Sequence, residues 1–181
     1  MLAEADQSLL LVIDVQTRLA AAMPEKIRER QRATCRHLLE AAARLAIPVL
    51  HTEQYPRGLG ATEAELQAHL PEPAIEKTAF SCCAAEGFLP ALEKAARRQI
   101  ILAGMETHVC VLQTAFELQQ QGYRVFVVED ACIARRKVHH RNALARLRQA
   151  GIIVSNSESV LFEWLRDARH PEFKAIAALI R

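Results

Sequence analysis

Ser8-Leu-Leu-Leu-Val-Ile13 is a continuous apolar run near the start of a chain of 181 residues. A run that is apolar at every position is typical of a central parallel strand, because helices cover both faces of such a strand. Similar runs recur along the chain and alternate with longer amphipathic stretches. This alternation predicts an α/β fold: a three-layer α-β-α sandwich of Rossmann-like type around a six-stranded parallel sheet.

The same patterns predict where the individual elements lie. The predicted strands are residues 8–13, 47–52, 74–80, 99–103, 124–128 and 152–154. The predicted helices are residues 25–46, 62–69, 84–96, 107–121, 138–150, 157–165 and 171–180, with a polar loop at 54–61. No repeat, low-complexity tract or linker interrupts the pattern, so we expect a single domain over residues 1–181.

The charge balance and the length of the apolar runs exclude several classes of protein. The chain has 23 Lys and Arg residues against 21 Asp and Glu residues, which is too even for a nucleic-acid-binding surface. Its apolar runs, such as Leu9–Ile13, are far shorter than the roughly 20 residues of a membrane helix. The acidic N-terminus lacks the features of a signal peptide. We therefore expect a cytoplasmic protein with no nucleic-acid partner and no membrane contact.

The cysteine spacing argues against a metal-binding or disulfide-exchange motif. The five cysteines form no C-x-x-C pair, and no H-x₃₋₅-H follows any of them, so a zinc finger and a thioredoxin-type site are unsupported. Free thiols fit a reducing compartment. Gly58-Leu-Gly60 lacks the continuation of a phosphate-binding loop. We predict no metal and no cofactor.

Three polar residues follow predicted strands and are the first candidates for chemistry. In open α/β sheets, ligands bind outside the carboxyl ends of the strands. Asp14 directly follows the first strand, Lys77 lies near the end of the third, and the segment Gly104–Cys110 links the fourth strand to its helix. One carboxylate, one amine and one thiol are therefore expected at the same edge of the sheet.

Cys110 has the most specific position of the three. If Thr107 caps the helix, Cys110 lies in the first helical turn, where the helix dipole stabilises a thiolate and lowers the pKa of the thiol. The free N–H groups of that turn could hold the oxyanion of an attacked carbonyl. Asp14 could take the thiol proton, and Lys77 could orient the Asp14 carboxylate. A cysteine in an apolar helix is also commonly a packing residue, and spacing alone does not separate the two interpretations.

Three motifs together resemble the isochorismatase-like (cysteine hydrolase) superfamily. They are Asp14-Val-Gln16, Glu76-Lys77-x-x-Phe80-Ser81 and Gly104-Met-Glu-Thr-His-Val-Cys-Val111, in the order and strand positions typical of the family. The resemblance covers nearly the whole chain. It implies the isochorismatase-like hydrolase fold, and it implies that Asp14, Lys77 and Cys110 form an Asp-Lys-Cys catalytic triad. It also implies a non-proline cis peptide at Met105–Glu106, with the N–H groups near Glu106 and Cys110 forming an oxyanion hole.

The resemblance further indicates a branch of the superfamily. Isochorismatases proper lack the cysteine, so Cys110 implies a carbonyl substrate, here a small amide or related C–N bond, and a thioester intermediate. Nicotinamidases carry an Asp-x-His metal pair where this chain has Glu53 and Tyr55, so no metal is implied. The segment His51–Gly60 resembles the YcaC-like group of isochorismatase-domain hydrolases. That likeness supplies no physiological substrate.

We expect a small-molecule pocket and a homo-oligomer. Gln16, Tyr55, Phe80 and His108 are the predicted substrate contacts. The basic cluster at residues 135–141 is predicted to be a solvated face or a subunit contact, and binding of an anionic substrate or partner is the alternative. The competing hypothesis for the whole protein is a non-catalytic small-molecule-binding or scaffold protein that retains the family pocket. Reactivity of the cysteine thiol separates the two.

Overall fold

The computed structural model describes residues 1–71 and 73–180, so the predicted domain 1–181 includes two residues, Glu72 and Arg181, outside the described part. Its strands are β1 (Ser8–Ile13), β2 (Val49–Gln54), β3 (Ile75–Lys77), β4 (Gln99–Met105), β5 (Arg124–Ile133) and β6 (Ile153–Ser155). They form one six-stranded sheet in the order β3-β2-β1-β4-β5-β6, and every pairing is parallel. The predicted α/β sandwich is confirmed.

Helices cover both faces of this sheet. They are α1 (Thr17–Ala21), α2 (Glu25–Arg44), α3 (Pro56–Leu59), α4 (Ala64–Gln67), α5 (Phe88–Ala95), α6 (Leu112–Gln120), α7 (Lys137–Gln149), α8 (Ser157–Leu165) and α9 (Phe173–Leu179). A 3₁₀ helix at Cys82–Ala84 and a π-helical turn at Thr107–Val111 complete the set. No helix in the ranges 1–71 and 73–180 is long and apolar enough to cross a membrane.

The continuous apolar run of β1 is explained by its central place. Leu10 and Val12 pack in one buried cluster with apolar residues of α2, α8 and α9. Leu9, Leu11 and Ile13 pack in a second cluster with residues of α5, α6 and α7. Full burial of one such leucine contributes about 1.5–3 kcal/mol, so both helical layers are held against the same strand.

The second and third strands differ from the prediction at their ends. Strand β2 begins two residues later than predicted, because Pro48 has no N–H to donate and pairing with β1 starts at Val49. Strand β3 is shorter than the predicted 74–80 and ends at Lys77. Beyond that residue the chain bends so that the carbonyl oxygens of Ala79 and Phe80 accept hydrogen bonds from Lys77 Nζ.

The fifth strand is longer than the predicted 124–128. A register shift after Leu102 in the neighbouring β4 lets the second half of β5 pair with the last residues of β4. Glu129 and Asp130 interrupt the apolar pattern inside this strand, which is why the pattern predicted an earlier end.

The helices that flank the site also differ from their predicted bounds. The predicted helix 107–121 opens with the π-helical turn and becomes regular α-helix only at Leu112. The predicted helix 84–96 begins later, at Phe88, because Gly87 precedes it with a φ of +81°. Helix α3 occupies part of the loop predicted at 54–61, and α4 is only four residues long.

Gly104 brings the backbone of β4 directly against the end of β1. Its φ is +129°, in the region that favours glycine, and a Cβ at this position would collide with the backbone of Ile13. The peptide bond one residue further on, between Met105 and Glu106, is cis. The segment that leads to Cys110 therefore passes beside the residue that precedes Asp14.

Candidate functional site

The predicted carboxylate, amine and thiol meet at the carboxyl edge of the sheet. Asp14 leaves β1 with a φ of 52°, Lys77 ends β3, and Cys110 lies in the π-helical turn. Their exposed fractions are 0%, 4% and 4%. Lys77 Nζ donates to Asp14 Oδ2 at 2.7 Å, and the Asp14 carboxylate is close enough to the Cys110 thiol to raise its pKa. The three groups form one buried cluster.

The Lys77 ammonium is fully committed to internal acceptors. Besides Asp14, it donates to Gln54 Oε1 at 2.6 Å and to the carbonyl oxygens of Phe80 at 3.1 Å and Ala79 at 3.3 Å. Burial lowers the pKa of Lys77, but Asp14 and the nearby thiols raise it by more, so the pKa lies above its usual value. An ammonium has three hydrogens to donate. Lys77 is therefore a fixed cation beside Asp14.

Three residues of the cluster were missed by the sequence reasoning. Thr52 Oγ1 donates to Asp14 Oδ1 at 2.7 Å, so both oxygens of the carboxylate are held. Gln54 accepts from Lys77, and Cys82 Sγ lies 3.8 Å from Thr52 Oγ1. A signal was present in the sequence: Thr52 and Gln54 belong to the polar end of the second strand, beside the end of the first.

The pKa of Cys110 is raised, whereas the sequence predicted a lowered one. Burial is the largest cause, and the Asp14 carboxylate adds to it, while the Lys77 ammonium acts in the opposite direction. The predicted cap is also absent. The Thr107 hydroxyl instead lies 2.9 Å from His140 Nδ1, and the turn it opens is π-helical. The resting thiol is protonated and has a carboxylate beside it.

Glu106 organises the turn that carries the thiol. Its carbonyl oxygen accepts from the backbone N–H groups of Val109 at 3.0 Å and Val111 at 3.4 Å. Its carboxylate accepts from the backbone N–H of Arg135 at 2.9 Å. Met105, on the other side of the cis bond, is fully buried. The role of the backbone N–H groups near Glu106 and Cys110 as an oxyanion hole stays a prediction.

The Gln16 side chain, predicted to contact the substrate, forms hydrogen bonds within the protein. This residue is fully buried, and its amide donates to the carbonyl oxygens of Gln54 at 3.0 Å and Gly60 at 2.6 Å. Its amide oxygen accepts from the backbone N–H of Gln54 at 2.7 Å. Both donors are therefore used to fasten the loop after β2, and we do not carry Gln16 forward as a substrate contact.

The other predicted contacts surround the cluster. Tyr55 and Phe80 are 54% and 52% exposed, a large fraction for aromatic side chains, and Tyr55 packs over Gly58. The His108 ring stacks on His139 with centroids 4.8 Å apart. Their contact with a substrate stays a prediction.

A cleft of about 470 Å³ adjoins the site on the side of β3. Its lining residues are Tyr55, Pro56, Arg57, Glu76, Lys77, Thr78, Ala84, Ala85 and Glu86. Lys77 thus contributes to it, whereas Asp14 and Cys110 do not. The cleft lies beside the buried cluster rather than over it.

Glu53, one of the two residues compared above with the nicotinamidase metal pair, has other partners in this structure. The Glu53 carboxylate accepts from the backbone N–H of Thr62 at 2.6 Å and from its hydroxyl at 2.8 Å. Within residues 1–71 and 73–180, no group of three or more His, Cys, Asp or Glu side chains is arranged to hold a metal ion. Glu53 fastens a loop to the end of β2.

The buried thiols make the stability of the fold dependent on pH. All five cysteines are free, and burial raises the pKa of Cys35, Cys110 and Cys132 above the usual range and that of Cys82 to about 12. The unfolded chain ionises its thiols above about pH 8.5, so the folded state then binds more protons than the unfolded state. We expect the free energy of unfolding to be independent of these groups below that pH and to fall above it, by up to about 1.4 kcal/mol per pH unit for each thiol.

Urea denaturation between about pH 7 and pH 10 measures this slope. The matched control is Cys132→Val, which removes a buried thiol that is not part of the Asp14 cluster. In this variant the unfolding free energy should fall less steeply with pH, by about 1.4 kcal/mol per pH unit, which corresponds to one proton. An unfolding free energy that does not change with pH in this range would contradict the raised pKa values.

Comparison with known proteins identifies the family. The isochorismatase domain matches residues 8–159. The structure of the Mar1 ribonuclease from Caenorhabditis elegans is 37% identical, with a TM-score of 0.92 over 99% of this chain and 92% of that one. The YcaC gene product of Escherichia coli, described as an octameric hydrolase of unknown specificity, is 25% identical, with a TM-score of 0.91 over 99% and 89%.

A third solved structure contains two small molecules. It is YcaC from Pseudomonas aeruginosa with hexane-2,5-diol and covalent acrylamide, 26% identical, with a TM-score of 0.88 over 98% of this chain and 91% of that one. The resemblance to the isochorismatase-like superfamily and its YcaC-like group is confirmed, and the chain belongs to the isochorismatase-domain family.

Proposed function

We propose that this protein is a hydrolase that cleaves a small amide or related C–N bond through a thioester on Cys110. The observation that carries the proposal is the buried ion pair of Asp14 and Lys77, both of which act on the pKa of the buried Cys110 thiol. Membership of the isochorismatase-domain family supports a hydrolase. A carboxylate and a thiol in contact supply the base and the nucleophile that covalent hydrolysis needs.

Acylation begins with a protonated thiol. Because the pKa of Cys110 is raised, the thiolate forms only as the substrate carbonyl arrives. Asp14 takes the thiol proton while the S–C bond forms and the carbonyl oxygen gains a negative charge. Backbone N–H groups near Glu106 and Cys110 hold this oxyanion, and one such donor contributes about 3 kcal/mol to the transition state.

The remaining steps return the site to its starting state. The C–N bond breaks, and the leaving amine takes the proton from Asp14, which leaves a thioester on Cys110. Water then attacks the thioester carbon and gives a proton to Asp14. The C–S bond breaks, and that proton returns to the sulfur. The sum is one amide and one water converted to one acid and one amine, with no cofactor required.

Lys77 acts on Asp14 rather than on the substrate. Its three strongest hydrogen bonds go to Asp14, Gln54 and Phe80, all within the protein. The fixed ammonium lies 2.7 Å from Asp14 Oδ2 and is the counter-ion of this buried carboxylate. It also offsets the negative charge that develops beside it during attack.

The relatives support parts of this proposal. Covalent acrylamide on YcaC of Pseudomonas aeruginosa is consistent with a nucleophile that accepts an amide-bearing molecule. The octameric YcaC of Escherichia coli supports a homo-oligomer here as well. Mar1 is described as a ribonuclease, but the even charge of this chain favours a small molecule over RNA. We also propose one domain over the whole chain and, from its free thiols, a reducing cytoplasmic location.

One observation favours a second function, a non-catalytic small-molecule-binding protein. The raised pKa of Cys110 keeps the resting thiol protonated, which suits a binding pocket as well as an enzyme activated by its substrate. The two functions differ in whether Cys110 becomes acylated.

Acid quenching followed by intact-protein mass spectrometry tests both functions. The wild-type protein is mixed with a panel of small primary amides, and released ammonia is measured in parallel. Hydrolysis predicts ammonia release and an acyl adduct on Cys110 that is absent in Cys110→Ala and present in Cys83→Ala, a more exposed free thiol that serves as control. Saturable binding of amides with no adduct and no ammonia would instead establish the binding protein.

A further inference from the structure

Thr52 contacts Asp14 twice, once through its backbone and once through its side chain. The two residues lie at the ends of neighbouring parallel strands, where Thr52 of β2 pairs with Ile13 of β1. The backbone N–H of Asp14 donates to the carbonyl oxygen of Thr52 at 3.1 Å, and the Thr52 hydroxyl donates to Asp14 Oδ1 at 2.7 Å. Asp14 is 0% exposed and Thr52 is 1% exposed, so both contacts are buried.

The two oxygens of the Asp14 carboxylate have different donors. Oδ2 accepts from the Lys77 ammonium, and Oδ1 accepts from the Thr52 hydroxyl. Both donors belong to strands on one side of β1 in the sheet order β3-β2-β1-β4, whereas the turn that carries Cys110 follows β4, on the other side. The carboxylate is therefore fixed by two hydrogen bonds from the side of β2 and β3.

The direction of the Thr52 hydrogen bond follows from the chemistry of its two partners. A threonine hydroxyl has one hydrogen, and an ionised carboxylate can only accept. That hydrogen is used on Asp14, so the Cys82 thiol, 3.8 Å from Thr52 Oγ1, is the donor in the second contact. The hydroxyl is held on both sides, and its hydrogen stays directed at Asp14.

The two donors differ in how completely they serve Asp14. The Lys77 ammonium also donates to Gln54 Oε1 and to two carbonyl oxygens, whereas the one hydrogen of the Thr52 hydroxyl goes to Asp14 alone. A hydrogen bond donated to a carboxylate stabilises its ionised form, and such charge-assisted bonds are roughly twice as strong as neutral ones. Removal of the Thr52 hydroxyl therefore favours the protonated carboxyl group and leaves the ion pair with Lys77 in place.

We propose that Thr52 is a positioning residue for the proposed base: its hydroxyl fixes the direction of the Asp14 carboxylate and sets the pH at which that base becomes protonated. In the proposed mechanism Asp14 takes the Cys110 proton and later passes it to the leaving amine, so the balance between its two protonation states limits the reaction. This inference rests on the proposed function for the reaction that Asp14 serves. It rests on the two contacts of Thr52 for the effect on Asp14.

Alkylation of Cys110 by iodoacetamide at a series of pH values tests this role without an amide substrate. The thiol loses its proton in this reaction, so the acidic limb of the rate reports protonation of the base that takes it. Thr52→Val keeps the shape of the side chain and removes the hydroxyl. We expect its acidic limb to move to higher pH by about one unit, a tenfold change in the protonation equilibrium, as for loss of one charge-assisted hydrogen bond. Thr52→Ser keeps the hydroxyl and should keep the wild-type limb.

Thr114→Val is the matched control for the loss of a buried hydroxyl. Thr114 is also 0% exposed, but its hydroxyl oxygen accepts from the backbone N–H of Cys82. This control should keep the wild-type limb, and Thr52→Ala, a second variant without the hydroxyl, should move it in the same direction as Thr52→Val. An unmoved limb in the folded Thr52 variants, or an equal movement in Thr114→Val, would overturn the assignment.

Ammonia release from the amide panel separates this inference from the proposed function. A limb that moves in Thr52→Val, in a protein whose wild type releases no ammonia, supports the action of Thr52 on Asp14 and removes only the amide chemistry. Ammonia release by the wild type together with an unmoved limb in Thr52→Val supports the hydrolase and overturns the role of Thr52.

Discussion

Cys110→Ala is expected to lower the rate of amide hydrolysis by about 10⁴-fold or more, the scale on which covalent catalysis is lost when the nucleophile is removed. The sulfur is the atom that forms the S–C bond in the proposed mechanism, and Asp14, the proposed base, raises the pKa of this thiol. Steady-state ammonia release from a substrate found in the amide panel measures the effect.

The matched control is Cys82→Ala. Cys82 is also buried, packs in the same apolar cluster and lies next to Thr52, so it shares the surroundings of the site without contacting the substrate carbon. Both variants should lose about the same stability, roughly 1–2 kcal/mol, because each removes one buried sulfur. Cys82→Ala should keep activity within about tenfold of wild type. Full activity in a folded Cys110→Ala protein would remove Cys110 from the mechanism.

Much of this site could be predicted because its three main groups are tied to strand ends. Asp14 and Cys110 follow strands of a parallel sheet and Lys77 ends one, and the carboxyl ends of such strands share one edge. The apolar run of β1 predicted the central strand correctly, since a strand with helices on both faces has no polar side. Local pattern and topology were enough for these features.

The parts that could not be predicted depend on partners distant in the sequence. Thr107 is a residue type that often caps a helix, but its hydroxyl forms a hydrogen bond with His140, 33 residues later in the chain. Gln16 belongs to the Asp14-Val-Gln16 motif directly after the first strand. Its side-chain amide nevertheless donates to two carbonyl oxygens at the end of β2 and in the loop after it. Tertiary packing decides which polar groups form hydrogen bonds with each other. Neither the spacing of residues along the chain nor their helix and strand propensities specify that packing.

The direction of the Cys110 pKa shift was wrong for the same kind of reason. The prediction considered only a helix dipole, which is a local effect. Burial and the Asp14 carboxylate both act against ionisation, and both arise from tertiary contacts. A thiol enclosed by protein loses the water that would stabilise its charge, and the dipole of a short turn does not replace that water.

Lys77→Met is expected to destabilise the fold by about 3–5 kcal/mol and to abolish hydrolysis, because it leaves the Asp14 charge buried without its counter-ion. Asp14→Asn should cost less stability. In that variant the ammonium keeps Gln54 and the carbonyl oxygens of Phe80 and Ala79, whereas in Lys77→Met the carboxylate keeps only the Thr52 hydroxyl and the neutral thiol. Urea denaturation at neutral pH measures both changes.

The double variant Asp14→Asn/Lys77→Met separates stability from catalysis. Since replacing a buried ion pair by neutral groups of similar volume is often close to neutral, the double variant should be more stable than Lys77→Met alone, although it remains inactive. Arg148→Met, which breaks the exposed pair with Glu129, should cost less than about 1 kcal/mol. If Lys77→Met cost no more than this surface control, the buried Asp14 carboxylate would not need Lys77 as its counter-ion. The role of the ammonium as a fixed cation beside the base would then be wrong.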